Sequence, residues 1–394
     1  MTSLAAQPWL QNPATQQVCA ALTVQGAAAY FVGGCVRNAL MGVAVSDIDI
    51  ATDATPQEVL ALAQAAGIKA IPTGIDHGTV TLVANHIPHE VTTFRKDVTT
   101  DGRRAVVAFS QDIAEDAARR DFTMNALYAR PDGSLVDPLQ GLADLQARRV
   151  RFIGTAGNRI CEDYLRILRY FRFHAWYGDA QAGFDPDALA AIANNLEGLS
   201  QLSLERVSSE MLKLLAAADP APAIAVMRQL GVLGQVLPGS HDRALAPLVH
   251  LQDVQCQDNP GAAIKPDPIC RLAALGGEEL LPYLRLSKAQ ARRLQQLRSA
   301  ATGSDRASKL SYQLGSDMAR SACLLRAALM EQPVSPYLEP DLARGAAAVF
   351  PVVAADLMPD LSGPALGAAL KKLQQAWIES GFELTREDLL QRLK

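Results

Sequence analysis

The stretch FVGGCVRNALMGVAVSDIDIAT, residues 31–52, places two glycines after one apolar run and two aspartates inside a second. Its pattern predicts a buried strand over 27–34 and a short helix over 35–42. A second strand is predicted over 46–52, where aspartate and isoleucine alternate. A strand that carries two acidic side chains raises the question of what holds their negative charges together.

The two aspartates predict a divalent-metal site. Side chains at i and i+2 of a strand share one face, so Asp47 and Asp49 are expected to project together. Two ionised carboxylates side by side repel each other unless a cation lies between them. Oxygen ligands favour Mg²⁺ or Mn²⁺, and a pair of such ions can hold the attacking and leaving oxygens of a phosphoryl displacement. Glu90, on a neighbouring predicted strand, is the candidate third ligand. The alternative is a solvated strand edge or turn without function.

The glycines favour a nucleotide as the ligand. Gly33 and Gly34 end the first strand and open the helix, so backbone N–H groups there can approach a triphosphate without side-chain obstruction. Arg37, on the first turn of that helix, can add a charge-assisted contact to phosphate. A tight turn explains two glycines equally well, but not their combination with the arginine and the aspartates.

Mixed strand and helix signals continue through the first third of the chain. A capping box predicts a helix over 54–67, and alternating runs predict strands over 77–85 and 89–95 joined by a turn. The polar, glycine-containing segment 95–105 is predicted to be a mobile loop.

Helical patterns dominate after about residue 140. Single helices are predicted over 158–178 and 203–218. The fold class is therefore α+β, with an N-terminal head that holds a small mixed β-sheet, followed by an all-α remainder. We expect three parts: a catalytic head over 1–145, a helical neck over 146–215, and a helical body and tail over 216–394.

Composition limits the cellular setting and leaves the partner open. The chain has 394 residues, is 49% hydrophobic and carries a formal net charge of −4. The six cysteines show no zinc-binding spacing, and no signal peptide or long apolar span is evident. These features predict a soluble cytoplasmic protein without a membrane segment. The oligomeric state stays open, and a local basic surface is compatible with the net charge.

Five motifs together resemble the class II nucleotidyltransferase and poly(A) polymerase family. They occur in the family's order, and their pattern is most similar to that of the CCA-adding members. The motifs are GGCVRN…SDIDIATDATP, RRDFTMNALY (119–128), DPLQGLADLQARRVRFIG (137–154), EDYLRILRYFRF (162–173) and LERVSSEML (204–212). The resemblance implies template-independent addition of C, C and A to the 3′ end of tRNA, with CTP and ATP as substrates and two Mg²⁺ ions as cofactors. The family usually has aspartate where this chain has Asn38, and we interpret Asn38 as orienting Arg37.

The resemblance also implies roles for the second motif. Arg120 would meet phosphate, and Asp121 and Asn125 would read ribose hydroxyls. Phe122, Met124 and Leu127 are expected in the core. In the last motif, Arg206 and Glu210 are expected to pair at i,i+4 and brace the neck helix.

Base selection is expected on the predicted helix over 158–178. Glu162, Asp163 and Arg166 stand at i, i+1 and i+4, which suits an ordinary intrahelical ion pair. An aspartate can also accept from the exocyclic amine of cytosine or adenine while an arginine donates to ring acceptors, and uracil and guanine would be rejected. The resemblance implies this template role for Asp163 and Arg166. Arg166, Arg169 and Arg172 follow at three-residue steps and would need an anion, such as triphosphate or the tRNA backbone, unless they form a solvated basic face.

Several alternatives stay open. Within the family they are a bacterial poly(A) polymerase and an enzyme that adds only CC or only A. Outside it, a D-x-D phosphatase would need a different sequence after Asp49, and a phosphohydrolase site at His241-Asp242 would need more histidines. A non-catalytic RNA-binding protein is the last. In the helical C-terminal region, 284–299 is the most basic amphipathic stretch and a candidate tRNA-binding surface.

Overall fold

The chain forms two compact units, Met1–Val236 and Leu237–Lys394. The structure is a computed structural model, and it describes residues 3–101, 104–258, 266–277, 279–358 and 360–393. The first unit holds the described β-strands and the second is helical, so the predicted α+β class is confirmed. The predicted boundaries at residues 145 and 215 stay predictions.

A seven-stranded mixed sheet forms the centre of the first unit, with strand order β3-β4-β5-β2-β1-β8-β9. Among these strands β2 and β5 pair in parallel and the other neighbours are antiparallel. A separate hairpin is formed by β6 and β7. The strands are β1 (Ala29–Val32), β2 (Asp49–Thr52), β3 (Lys69–Gly74), β4 (Thr79–Ala84), β5 (Ile87–Thr93), β6 (Arg95–Asp101), β7 (Arg104–Phe109), β8 (Tyr128–Ala129) and β9 (Leu135–Val136).

Helices flank the sheet and continue to the end of the first unit. They are α1 (Pro8–Gln11), α2 (Pro13–Thr23), α3 (Gly34–Leu40), α4 (Pro56–Ala65), α5 (Ile113–Ala118), α6 (Gly141–Gln146), α7 (Ala156–Glu162), α8 (Leu165–Tyr177), α9 (Pro186–Ala193), α10 (Leu204–Leu215), α11 (Ala221–Gln229) and α12 (Val232–Val236). Short 3₁₀ turns cover Ile75–His77, Thr123–Asn125 and Leu196–Gln201.

The second unit is built from the remaining helices. They are α13 (Leu245–Asp258), α14 (Pro268–Ala274), α15 (Lys288–Thr302), α16 (Ala307–Leu314), α17 (Ser316–Met330), α18 (Leu338–Ala347), α19 (Gly363–Glu379) and α20 (Arg386–Gln391). Two 3₁₀ turns, Leu281–Tyr283 and Ala354–Leu357, complete it. No helix among the described residues combines the length and the hydropathy needed to cross a membrane.

Local sequence signals explain several elements. The capping box that begins α4 is present, since the Thr55 hydroxyl accepts from the Glu58 amide and the Glu58 carboxylate accepts from the Thr55 amide. The predicted turn between β4 and β5 is confirmed at Asn85 and His86, whose φ angles of 47° and 66° suit a two-residue hairpin.

The predicted secondary structure is wrong for the segments 95–105 and 158–178. The segment 95–105, predicted as a mobile loop, falls largely within the β6–β7 hairpin, although residues 102–103 lie outside the described chain. Its β-branched runs on either side of an Asp-Gly pair are a hairpin signal that outweighs its polarity. The helix predicted over 158–178 is interrupted at Asp163, which divides it into α7 and α8.

Candidate active site

Polar side chains lie close to the glycine turn between β1 and α3. Gly33 has φ 69° and ψ −118°, a conformation that side-chain-bearing residues rarely adopt. A Cβ at this position would lie 3.5 Å from Arg120 Nη1 and 3.7 Å from Asn125 Oδ1, and one at Gly34 would lie 3.9 Å from Arg37 Nη2. The turn therefore lies beside Arg37, Arg120 and Asn125.

The carboxylates lie at the start of β2. Strand β2 begins at Asp49, and in the parallel register Asp49 is opposite Glu90 of β5. Asp47 precedes the strand, is exposed and accepts a hydrogen bond from the Ser46 hydroxyl at 2.9 Å. The prediction that both aspartates belong to one strand is therefore wrong for Asp47. The backbone hydrogen bonding between β2 and β5 extends one residue before β2, since the Ile48 carbonyl next to Asp47 accepts from the Glu90 amide at 3.1 Å.

Electrostatics shows that these acidic groups influence one another. Burial and the negative charges of Glu90 and Asp47 raise the pKa of Asp49 to about 6, against the opposing effect of Arg120 and Arg37. An excess of negative charge at Asp49 is what a cation would relieve. Among the described residues, however, no three His, Cys, Asp or Glu side chains form a ready-made metal cage.

Arg120 is fixed by groups within the head. Its guanidinium pairs with Asp116, with Nη2 to Oδ2 at 3.0 Å, and its Nε donates to the Tyr128 hydroxyl at 3.0 Å. Tyr128 in turn donates to Asp116 at 2.8 Å, and both are buried. The i,i+4 spacing of Asp116 and Arg120 is a sequence signal for this pair that was not used.

Asp121 and Asn125 are occupied by protein partners. Asp121 Oδ2 accepts two hydrogen bonds from Arg169, at 2.8 and 2.5 Å, and Asp121 Oδ1 accepts from Asn125 Nδ2 at 3.1 Å. Burial alone would raise the pKa of Asp121, but the charge of Arg169 and these hydrogen bonds outweigh it and hold the pKa below its ordinary value. The Asn125 Oδ1 accepts from Arg37 Nη1 at 2.7 Å. Phe122, Met124 and Leu127 are fully buried, as expected for core residues.

The residues predicted to recognise the base are not on one helix. Asp163 has an extended backbone, with φ −155°, and its Oδ1 accepts from the Leu165 amide at the start of α8. Arg166 pairs with Glu162 at 2.5 Å, whereas Asp163 pairs with Arg206 of α10 at 2.6 Å. The structure thus brings Glu162, Asp163 and Arg166 close together but does not pair Asp163 with Arg166.

The two remaining arginines of α8 also have carboxylate partners, so they do not form a solvated face. Arg172 pairs with Glu210 at 2.6 Å, and Arg169 lies 3.7 Å from the same carboxylate. The expected pairing of Arg206 with Glu210 is therefore wrong, because each finds a partner from another helix. Sequence reasoning also missed Arg159, whose Nη1 donates to Glu162 at 2.6 Å, and Tyr177, whose hydroxyl accepts from Arg37 at 2.8 Å. No local signal identifies Tyr177, since 140 residues separate it from Arg37.

The chain is similar in sequence and in fold to known proteins. A sequence model described as "Poly A polymerase head domain" matches residues 29–151, and one described as "Probable RNA and SrmB- binding site of polymerase A" matches residues 183–243. The chain is 34% identical over 378 residues to CCA tRNA nucleotidyltransferase 1, mitochondrial, of Mus musculus, covering 92% of this chain and 85% of that protein. It is 33% identical over 385 residues to the CCA-adding enzyme of Geobacillus thermodenitrificans, covering 93% of this chain and 92% of that protein. A solved structure of the Bacillus stearothermophilus CCA-adding enzyme in complex with CTP superimposes with a TM-score of 0.75 at 29% identity, covering 96% of each chain.

Proposed function

The chain belongs to the nucleotidyltransferase family that contains the CCA tRNA nucleotidyltransferases, and from that membership we propose that it adds C, C and A to the 3′ end of tRNA. CTP and ATP are the substrates, and pyrophosphate is released at each step. The observation that carries the proposal is the position of Asp49, opposite Glu90 and within the electrostatic influence of Arg120 beside the Gly33–Gly34 turn.

The chemistry is a phosphoryl displacement. The 3′-hydroxyl of the tRNA releases its proton to solvent as its oxygen forms a bond to the α-phosphorus. The bond from the α-phosphorus to the bridging β-phosphate oxygen breaks, and that electron pair leaves with pyrophosphate. The glycine turn and Arg120 bind the triphosphate, because backbone N–H groups and a guanidinium suit phosphate oxygens. Arg37 adds a second positive charge at the same turn.

Asp47, Asp49 and Glu90 would hold Mg²⁺, with Mn²⁺ as a substitute. The donor set fits, since Mg²⁺ commonly uses one or two carboxylates together with substrate phosphates and does not need a complete protein cage. The raised pKa of Asp49 supports this assignment, because burial and the charges of Glu90 and Asp47 together outweigh the opposing charges of Arg120 and Arg37, and a bound cation would offset that balance. When bound, two such ions supply charge neutralisation at the attacking and leaving oxygens.

Base selection is proposed for the junction of α7 and α8. The Asp163 carboxylate accepts from the exocyclic amine of cytosine or adenine, and Arg166 donates to the ring acceptor beside it. Glu162 braces Arg166 through their ion pair. In the structure Asp163 bonds to Arg206, and both side chains are partly exposed, at 32% and 47%. An incoming base therefore reaches Asp163 by sharing or displacing an accessible ion pair.

Further contacts follow from the same assignment. Asp121 and Asn125 read the ribose after releasing part of their bonding to Arg169 and Arg37, and Arg169 and Arg172 contribute positive charge along α8. We assign residues 1–145 to the catalytic head, 146–215 to the neck, and 216–394 to a body and tail that bind tRNA. The exposed basic side chains of α15 within 284–299 are the proposed tRNA-backbone surface.

A reducing compartment such as the cytoplasm fits the five described cysteines, which are free thiols.

The deciding experiment uses a tRNA that lacks its 3′ CCA. The purified protein is incubated with this tRNA, Mg²⁺ and CTP, ATP or both, and the products are resolved at single-nucleotide resolution. We expect two C residues with CTP and a completed CCA with both. A long A tail would identify a poly(A) polymerase, and extension that stops at CC, or that adds A only to a tRNA already ending in CC, would identify a partial enzyme.

A pair of variants tests the metal-binding assignment. Asp47→Ala should abolish incorporation while tRNA binding is retained, since Asp47 is exposed and its only described side-chain bond is to Ser46. The matched control is Asp187→Ala on α9, which removes another exposed carboxylate from the same unit. Loss of folding or of tRNA binding in Asp47→Ala would instead indicate a structural role.

A further inference from the structure

Arg37 differs from the other arginines of the site in the charge of its partners. Arg120, Arg166, Arg169 and Arg172 each form an ion pair with a carboxylate. The hydrogen bonds described for the Arg37 side chain all end on neutral groups. Buried charges in proteins are usually paired, so an arginine with neutral partners only is held at a cost in free energy.

Burial makes this charge unusual. Arg37 is only 6% exposed although it lies on the short helix α3. Burial lowers the pKa of Arg37, and the nearby positive charge of Arg172 acts in the same direction, against the effects of Tyr177 and Asp121. A buried guanidinium in this setting favours any anion that approaches the adjacent Gly34, which lies next to Arg37 Nη2.

Tyr177 supplies two of the contacts that hold Arg37. It is the last residue of α8 and so comes from the neck helix rather than from the head. Its hydroxyl accepts from Arg37 Nη2 at 2.8 Å, and the guanidinium carbon lies 4.1 Å from its ring centroid. The Phe173 ring, one turn earlier, lies 5.1 Å from the same carbon. Aromatic faces attract guanidinium groups without neutralising them.

The neutral partners also fix the direction of the guanidinium. Asn38 Oδ1 accepts from Nε and Nη2 at 3.2 and 3.0 Å, and Asn125 Oδ1 accepts from Nη1 at 2.7 Å. The Tyr177 hydroxyl also accepts from Nη2. These three side chains orient the guanidinium, and because they are neutral they do not cancel its positive charge.

We propose that Tyr177 is a positioning residue, which holds the Arg37 guanidinium at the Gly33–Gly34 turn by its ring and hydroxyl so that the charge is available to the triphosphate of the incoming nucleotide. This inference rests on the proposed function, because it takes a nucleoside triphosphate as the ligand of the turn. A carboxylate in the place of Tyr177 would hold Arg37 equally firmly but would compete with phosphate for it.

The test compares variants of the full-length protein by CTP binding and by steady-state kinetics on tRNA lacking CCA. Tyr177→Leu, which removes ring and hydroxyl, should raise the Kd and KM for CTP about tenfold, and Tyr177→Phe, which keeps the ring, about threefold. The kcat should change much less, since the chemical step depends on other groups. The matched control is Trp176→Phe, because Trp176 is the neighbouring aromatic, is 45% exposed and donates to the Lys213 carbonyl instead.

Two further measurements separate positioning from general damage. Pyrophosphate, as a competitive inhibitor, should lose affinity in Tyr177→Leu in parallel with CTP, whereas cytidine, which lacks phosphate, should not. In an Arg37→Ala background, Tyr177→Leu should have no additional effect on CTP affinity. Equal losses for cytidine and pyrophosphate, or additive effects in the double variant, would overturn the inference.

The outcomes distinguish this inference from the proposed function. A wild-type protein that binds CTP but adds no nucleotide to tRNA would refute the proposed function. The role of Tyr177 would then be decided by the ratio of the CTP Kd values of the variants and the wild type. Wild-type activity together with unchanged CTP affinity in both Tyr177 variants would refute the role of Tyr177 alone.

Discussion

Asp49→Asn is expected to abolish nucleotide addition and at the same time to stabilise the metal-free protein at neutral pH. The introduced asparagine would keep the shape of the side chain but carry no charge. In the wild type, burial and the charges of Glu90 and Asp47 raise the pKa of Asp49 from 3.8 to about 6. A pKa shift of one unit corresponds to about 1.36 kcal/mol, so the ionised form of Asp49 destabilises the folded state by about 1–3 kcal/mol.

The sign of the effect follows from proton binding. Between pH 3.8 and about 6 the folded wild type binds a proton at Asp49 that the unfolded chain does not, so its stability rises as the pH falls through this window. Above about pH 6 the carboxyl is ionised in both states and the full cost is present. The stability advantage of Asp49→Asn should therefore be complete at about pH 7–8 and disappear below about pH 4.

Differential scanning calorimetry in the presence of a chelator measures the thermal stability of both proteins and so tests this prediction. For a unit of this size, about 1–3 kcal/mol corresponds to a rise in Tm of roughly 2–12 °C for the transition of the first unit at about pH 7.5. Mg²⁺ should then raise the Tm of the wild type but not that of the variant, because the ion binds the folded carboxylates. Asp53→Asn is the control, since its Oδ1 can still accept from the Ala28 amide. A variant that is less stable than wild type at neutral pH would show that Asp49 is held by favourable contacts and would refute the reasoning.

Three further predictions concern activity and binding. The affinity for Mg²⁺ should fall about tenfold per pH unit below about pH 6 as Asp49 is protonated. Glu90→Gln should move this fall to lower pH, and a pH dependence of Mg²⁺ binding that is identical in both proteins would contradict the coupling. Arg206→Ala should reduce discrimination against UTP and GTP about tenfold, because Asp163 loses the partner that orients it. Single-turnover incorporation of all four nucleotides measures this discrimination, and Arg344→Ala, which removes an exposed ion-paired arginine of the second unit, is the control. Unchanged incorporation ratios in Arg206→Ala would contradict the prediction. The affinity for tRNA should decrease steeply with salt, with log K linear in log salt concentration, and a flat dependence in a filter-binding titration would exclude binding through phosphates.

Sequence reasoning succeeded where the determining interactions are local. The capping box of α4 and the hairpin turn at Asn85 are short-range patterns whose physics is contained in a few residues. Glu90 lies on a strand neighbouring that of Asp49, as the sequence predicts, and the parallel register of β2 and β5 sets the two opposite each other. The hairpin over 95–109 was missed because its polar residues were given more weight than its β-branched ones.

The i,i+4 spacing accounts for the pairs Glu162–Arg166 and Asp116–Arg120, but other partners of the charged residues could not be predicted in the same way. The sequence offered intrahelical partners at i,i+4, and such pairs are worth only a few tenths of a kcal/mol. The structure instead joins Asp121 to Arg169, Asp163 to Arg206 and Glu210 to Arg172. Asp121 and Glu210 are only 7% and 5% exposed, and an unpaired buried carboxylate costs several kcal/mol, so tertiary partners decide the outcome.

In the proposed function, these long-range pairs couple the position of the phosphate-binding turn to that of the base-reading residues. Arg37, beside the glycine turn, is held by Tyr177 at the end of α8, and Asp121 of the second motif is held by Arg169 in the middle of the same helix. The residues that would read the base, Asp163 and Arg166, lie at the start of that helix. Because a helix of 13 residues is stiff over its length, the spacing between the triphosphate turn and the base-reading junction is set by these two attachments. Under the proposed function, base choice would therefore depend on how α8 is attached to the residues of the glycine turn and the second motif, as well as on the hydrogen bonds made by Asp163 and Arg166.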